Sequence, residues 1–100
     1  MPVASPQHGR RRFDHLVNEL SVAVGAKVPR YALWLRLHEY GWNPDQLSRE
    51  EAVSFCGTPL SSFLATRGLR LRTRRQRRLQ REMERYDPAY PTPYERMERL

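Results

Sequence analysis

Ser48-Arg49-Glu50-Glu51-Ala52-Val53-Ser54-Phe55-Cys56-Gly57-Thr58-Pro59-Leu60-Ser61-Ser62-Phe63-Leu64-Ala65-Thr66, residues 48–66, carries two helix starts separated by one helix stop. Ser48 with Glu51 three residues on forms a capping box, in which the serine hydroxyl accepts from the Glu51 amide and the glutamate reaches back to the serine amide. A helix is therefore predicted from Ser48 to Cys56, with Gly57 as its left-handed cap. Thr58-Pro59 restarts the chain at once, because threonine is a fair N-cap and proline is pre-set for the first helical position. The second helix is predicted from Pro59 to about Thr66.

Upstream, Phe13, Leu16, Val17, Leu20 and Val24 recur at the spacing of one helical stripe, which Gly25 ends. Pro29 then suits a helix start. Tyr31, Leu33, Trp34, Leu35, Leu37 and Tyr40 make the following element apolar on most sides before Gly41, so it is predicted to be the central core helix. The first two helices are expected to supply most of the core, and an Asn43-Pro44-Asp45 turn leads from them into residues 48–66.

Downstream, eight arginines lie between Arg67 and Arg81, at 67, 70, 72, 74, 75, 77, 78 and 81, with no acid among them. Thr73 is placed to cap a helix running to about Tyr86. On it Leu79, Met83 and Tyr86 form a narrow apolar stripe in line with Arg75, while Arg74, Arg77, Arg78 and Arg81 occupy other faces. One side can dock and the rest is positive. Residues 1–9, with two prolines and little that is apolar, read as a disordered leader. Residues 87–100 read as a C-terminal extension in which Thr92-Pro93 opens a last short helix carrying Tyr94, Met97 and Leu100. The fold class expected is all-α: a small single-domain helical bundle, residues 10–86, since this length suffices for one core and not for two.

The net charge of +7, the pI near 10.5 and a mean hydropathy of -0.80 describe a wet, strongly basic chain. Lys27 is its only lysine. Arginine presents a planar fork of donors that matches phosphate or carboxylate, so clustered arginines point to such partners. The lone Cys56 supplies neither an internal disulfide nor a multi-cysteine metal site. Arg10-Arg11-Arg12 is followed by Phe13-Asp14-His15 and not by an apolar run, so no secretory signal is expected. Leu20 to Ala26 is far too short to span a bilayer. A cytoplasmic protein, nucleoid-associated in a bacterium, is the expectation.

The pattern Glu51-Ala52-Val53, three residues, Gly57, and then a polar-led helix with Phe63 near its middle resembles the helix-turn-helix of the excisionase and MerR-like DNA-binding families over residues 47–67. The resemblance implies Ala52 and Val53 packing the first helix, Gly57 making the turn and Phe63 anchoring the second. It further implies that Ser61, Ser62, Thr66 and Arg67 meet base edges in the major groove. No β-rich wing follows Gly68. A positive helix after a recognition helix suits a phosphate clamp, which would engage Arg70, Arg72, Arg74, Arg75, Arg77, Arg78 and Arg81.

Other readings stay open at this level. The arginine run could instead be a solvated helix balanced by Glu82 and Glu84, or the contact of a small adaptor on an acidic protein partner, whose hallmark would be an exposed Leu79-Met83-Tyr86-Tyr94-Met97 stripe. RNA stands third and would be favoured by Trp42 and the tyrosines exposed beside the arginines. Homodimerisation through the arginine helix or the C-terminal segment is a further option. Arg10–Arg12 read as a solubility feature before a phosphate-reaching arm, Trp34, Trp42, Tyr31 and Tyr40 as core packing before a stacking platform, and His15 and His38 as packing or surface groups. No glycine-rich phosphate loop, zinc signature or nucleophile elbow occurs. Glu50-Glu51 and Glu82/Glu84 are explained by capping and surface charge, so neither catalysis nor a cofactor or metal is expected.

Overall fold

A computed structural model describes residues 6–90 and Met97. Its elements are α1 (Pro6–Val24), α2 (Arg30–Glu39), a 3₁₀ turn (Pro44–Gln46), α3 (Arg49–Phe55), α4 (Thr58–Thr66) and α5 (Thr73–Arg85), with no strand among the described residues. The protein is all-α. Its core is a single cluster to which every α-helix contributes: Phe13, Leu16 and Leu20 from α1, Leu33 and Leu37 from α2, Ala52 and Phe55 from α3, Leu60, Phe63 and Leu64 from α4, and Leu79 and Met83 from α5.

Three departures from the expected boundaries have local causes. Helix α1 starts at Pro6, so residues 6–9 belong to a helix and not to a disordered leader, and Gly9 is buried. Residues 1–5 lie outside the described residues, as does the last short helix expected from Thr92, apart from Met97. Helix α4 starts at Thr58 with Gly57 as N-cap, and Gly57 has a φ of -86°, so it is not the left-handed cap of α3. Helix α5 starts at Thr73 itself after Arg72, with no side-chain cap.

The capping box of α3 is present: the Glu51 amide donates to Ser48 Oγ at 3.1 Å and the Ser48 amide donates to Glu51 Oε1 at 2.9 Å. Asn43 Oδ1 accepts from the Asp45 amide at 3.0 Å and so opens the 3₁₀ turn around the buried Pro44. The apolar stripe of α5 docks as its spacing predicts, with Leu79, Met83 and Tyr86 buried.

Helix α2 is not the central helix. Only Leu33 and Leu37 are buried on it, whereas Tyr31, Leu35 and Tyr40 are exposed. The outward rings stack on one another instead: Trp34 lies 6.3 Å from Tyr31 and 5.2 Å from His38 between ring centroids, and Tyr40 lies 5.7 Å from Trp42. The core-packing expectation therefore fails for Tyr31 and Tyr40 and holds in part for Trp34 and Trp42, which are half-buried.

The place of α2 is taken by the contact of α1 with the 3₁₀ turn. A Cβ on Gly9 would sit 2.4 Å from Gln46 Cα and 2.6 Å from the Leu47 nitrogen, so only glycine lets the two backbones approach this closely. Arg12 donates to the Leu47 carbonyl at 2.6 Å, Arg10 pairs with Asp45 at 3.7 Å, and Arg11 donates to the Pro88 carbonyl. These three arginines are neither a tail nor an arm; they tie α1 to distant parts of the chain. Burial, and then the like charge of Arg49, lower the pKa of the Arg12 guanidinium. In an ordinary helix Gly→Ala stabilises, but Gly9→Ala is expected to destabilise by about 1–3 kcal/mol through overpacking, read as a lower urea midpoint at unchanged slope.

Candidate nucleic-acid interface

Helix α5 runs antiparallel to α1 on one flank and faces the α3–α4 turn on the other. On the first flank His15 stacks on Tyr86 with centroids 4.1 Å apart, and Arg75 donates to the Ala23 carbonyl at 2.9 Å. On the second flank the Gln76 amide donates to the carbonyls of Cys56 and Gly57 at 2.8 and 2.9 Å and reaches Ser61 Oγ at 3.3 Å, and Gln80 reaches the Val53 carbonyl at 3.4 Å. The glutamines thus satisfy the carbonyls left at the end of α3 and fix α5 against the turn. Sequence reasoning passed over them. The signal was there: they are the only uncharged polar residues between Arg74 and Arg81, four apart, and they border the apolar stripe.

Helix α4 has two faces. Leu60, Phe63 and Leu64 are buried, while Thr58, Ser61, Ser62, Ala65 and Thr66 are exposed. Ser61 shares a depression with Thr58, Thr73, Gln76 and Arg77, so the structure brings it beside the arginine helix. Ser62, Thr66 and Arg67 do not line that depression. The Thr66 hydroxyl donates to the Phe63 carbonyl at 2.7 Å, and the Arg67 guanidinium lies 5.9 Å from the Phe63 ring, with Arg36 of α2 5.7 Å from the same ring.

Past α4 the chain turns at Gly68, whose φ of +68° lets the Leu69 amide donate back to the Leu64 carbonyl at 2.8 Å. The next residues carry an alternation: Leu69 and Leu71 pack against the core, whereas Arg70 and Arg72 are exposed. Arg70, Arg72, Arg74, Arg75 and Arg78 then converge around Ala23 and Val24 at the end of α1, while Arg77 and Arg81 are exposed elsewhere on α5.

Charge is segregated. Four acids pair with arginines, all of them outside the run: Asp45 with Arg10, Asp14 with Arg30, Glu39 with Arg36 and Glu82 with Arg85. Arg70, Arg72, Arg74, Arg77, Arg78 and Arg81 make no ion pair with any described residue. Glu82 is thus taken up by Arg85 and His15, and it does not balance the run.

His15, read from the sequence as a packing or surface group, has two carboxylate neighbours: its ligand atom and those of Glu19 and Glu82 lie within 4.8 Å of one another. Glu82 is the meeting point, 3.1 Å from His15 Nε2 and bonded to Arg85, and Arg75, Arg78 and Arg85 line the depression beside it. That positive rim opposes a cation, and the stacking of His15 on Tyr86 makes the group a packing cluster. Burial acts to raise the Glu82 carboxyl, but hydrogen bonds from Arg85 and His15 outweigh it and hold the group below its ordinary value. A depressed carboxyl stabilises the fold above its unfolded value near about 4.3, and that contribution is lost as pH falls through the lower folded value. Glu82→Gln is therefore expected to flatten the acid limb of a urea-midpoint profile below about pH 5.

Burial pushes the Cys56 thiol up to about 12, so at neutral pH it is protonated and inert. No helix of the described residues is long and apolar enough to cross a membrane. No family model, no curated protein and no solved structure matches this chain.

Proposed function

We propose that this chain is a non-enzymatic nucleic-acid-binding protein, a transcription regulator or nucleoid-type protein that docks duplex DNA through α3–α4 as a helix-turn-helix and through the arginines that follow it. The observation that carries the reading is the separation of two arginine populations. Arg10, Arg11, Arg12, Arg30, Arg36 and Arg85, outside residues 67–81, have partners in acids or carbonyls, whereas six arginines within that stretch project from a docked helix and a pinned segment and make no ion pair with any described residue. Such an arrangement suits phosphate, whose contacts fix register and supply sequence-independent affinity. The exposed Thr58-Ser61-Ser62-Thr66 face of α4 is the part suited to base edges, and Arg77 beside Ser61 links the two roles.

The adaptor reading is less well supported: of its Leu79-Met83-Tyr86-Tyr94-Met97 stripe, Leu79, Met83 and Tyr86 are buried, Met97 is exposed, and Tyr94 lies outside the described residues. For RNA, Tyr31 and Tyr40 are exposed, but no described tyrosine or tryptophan lines either depression that the arginine run borders with α1 or with α4. Duplex DNA therefore stands ahead of RNA.

Competition tests the choice of partner. A labelled random-sequence duplex is expected to be displaced by unlabelled duplex at lower concentration than by a single strand or an RNA hairpin of equal length. Displacement by the hairpin at the lowest concentration would reassign the partner to RNA. A selection from a random duplex pool follows, in which Ser62→Ala is expected to alter sequence preference; an equal loss on every sequence would remove Ser62 from base recognition.

A further inference from the structure

Five arginines, Arg70, Arg72, Arg74, Arg75 and Arg78, line one open depression whose remaining lining is Ala23, Val24 and Leu71. Among the described residues no acid lines it, in contrast to the adjoining depression, which Glu19 and Glu82 line together with Arg75, Arg78 and Arg85. Its volume of about 620 Å³ falls in the range of small-molecule clefts, about 300–1,000 Å³. We propose that this depression is a binding site for a compact polyphosphate, a small ligand carrying two or more adjacent phosphates, separate from the duplex-facing side of α4.

Three features favour a built site over diffuse surface charge. Arg70 and Arg72 stand on a segment fixed by the Gly68 turn and by the packing of Leu69 and Leu71, so their backbone is placed before any ligand arrives. Arg75 already donates to the Ala23 carbonyl, which offsets the negative end of α1 and leaves the other four guanidiniums for the ligand. The five come from two elements that meet at a third, so the site exists only in the folded chain. Like charges this crowded repel one another, and an anion with several closely spaced charges relieves that repulsion where a single chloride does not. Guanidinium forks supply the bidentate geometry that adjacent phosphates accept.

The proposal does not rest on duplex binding, and the full chain tests both. Calorimetric titration with tripolyphosphate is expected to give one site per chain. Arg70→Ala with Arg72→Ala should weaken it by at least about 10-fold, as expected for lost hydrogen bonds between charged groups. Arg77→Ala with Arg81→Ala removes the same charge outside the depression and should change it by less than about 2-fold. All four side chains are exposed and unpaired among the described residues, so both variants should fold, with unchanged circular dichroism. Equal weakening in the two variants, or no saturable binding, overturns the site. A parallel titration with duplex separates the claims: tripolyphosphate binding without duplex binding supports the depression and removes the DNA reading, and the reverse removes the depression alone.

Discussion

Changing Arg74, Arg77 and Arg81 together to alanine is expected to weaken binding to a random-sequence duplex about 500-fold at 0.1 M salt, since each phosphate contact adds about 0.9 log unit by counterion release. The slope of log affinity against log salt should become shallower by about 2.7. These side chains are exposed and make no ion pair with a described residue, so the variant should melt as the parent does. Arg10→Ala with Arg36→Ala, compared per charge removed, is the control. Those arginines lie outside the run and are paired with Asp45 and Glu39, so their loss should leave duplex affinity almost unchanged. Equal losses per removed charge from the two sets would mean that net charge alone, and not the arginine run, drives binding.

The second large effect is on stability. Phe13 is fully buried on α1, in one stripe with Leu16 and Leu20, and the Arg30 guanidinium lies 5.0 Å from its ring while Arg30 pairs with the neighbouring Asp14. Phe13→Ala removes the ring from the cluster that joins α1 to every other α-helix. The expected cost is about 3–5 kcal/mol, a large part of the 5–15 kcal/mol typical of a domain of this size. In a melting experiment this corresponds to a fall of roughly 15–30 °C. A fall of only a few degrees would mean that the helices hold together without α1 at their centre.

The helices themselves were legible wherever local chemistry decides. Ser48 and Glu51 cap α3 as their spacing requires, and Leu79, Met83 and Tyr86 dock α5 as their stripe requires. What escaped sequence reading depends on partners far along the chain. Arg12 meets Leu47, Arg11 meets Pro88 and Gly9 meets Gln46, and nothing near residues 9–12 announces those contacts. The helical start at residues 6–9 escapes sequence reading for the same reason: the close approach of Gly9 to Gln46 and Leu47 is not announced by the local composition.

Helix α2 was misplaced because apolar content exceeds what one buried edge can take. Tyr31, Trp34 and His38 satisfy part of their surface by stacking on one another, which composition cannot distinguish from burial. Within the candidate interface, the arginines could be read from charge alone. The division of their surroundings into an α1 side and an α4 side could not, since it follows from the docking that Gln76 and Gln80 hold in place.

The central claim is that the unbalanced arginines exist to meet phosphate on a duplex. Its most direct test is the affinity of the unaltered protein for a random-sequence duplex between about 50 and 300 mM salt. Engagement of six or more of the run's arginines predicts a log-log slope of about -5 or steeper. Absence of binding near 50 mM salt, or a slope close to zero, would contradict it.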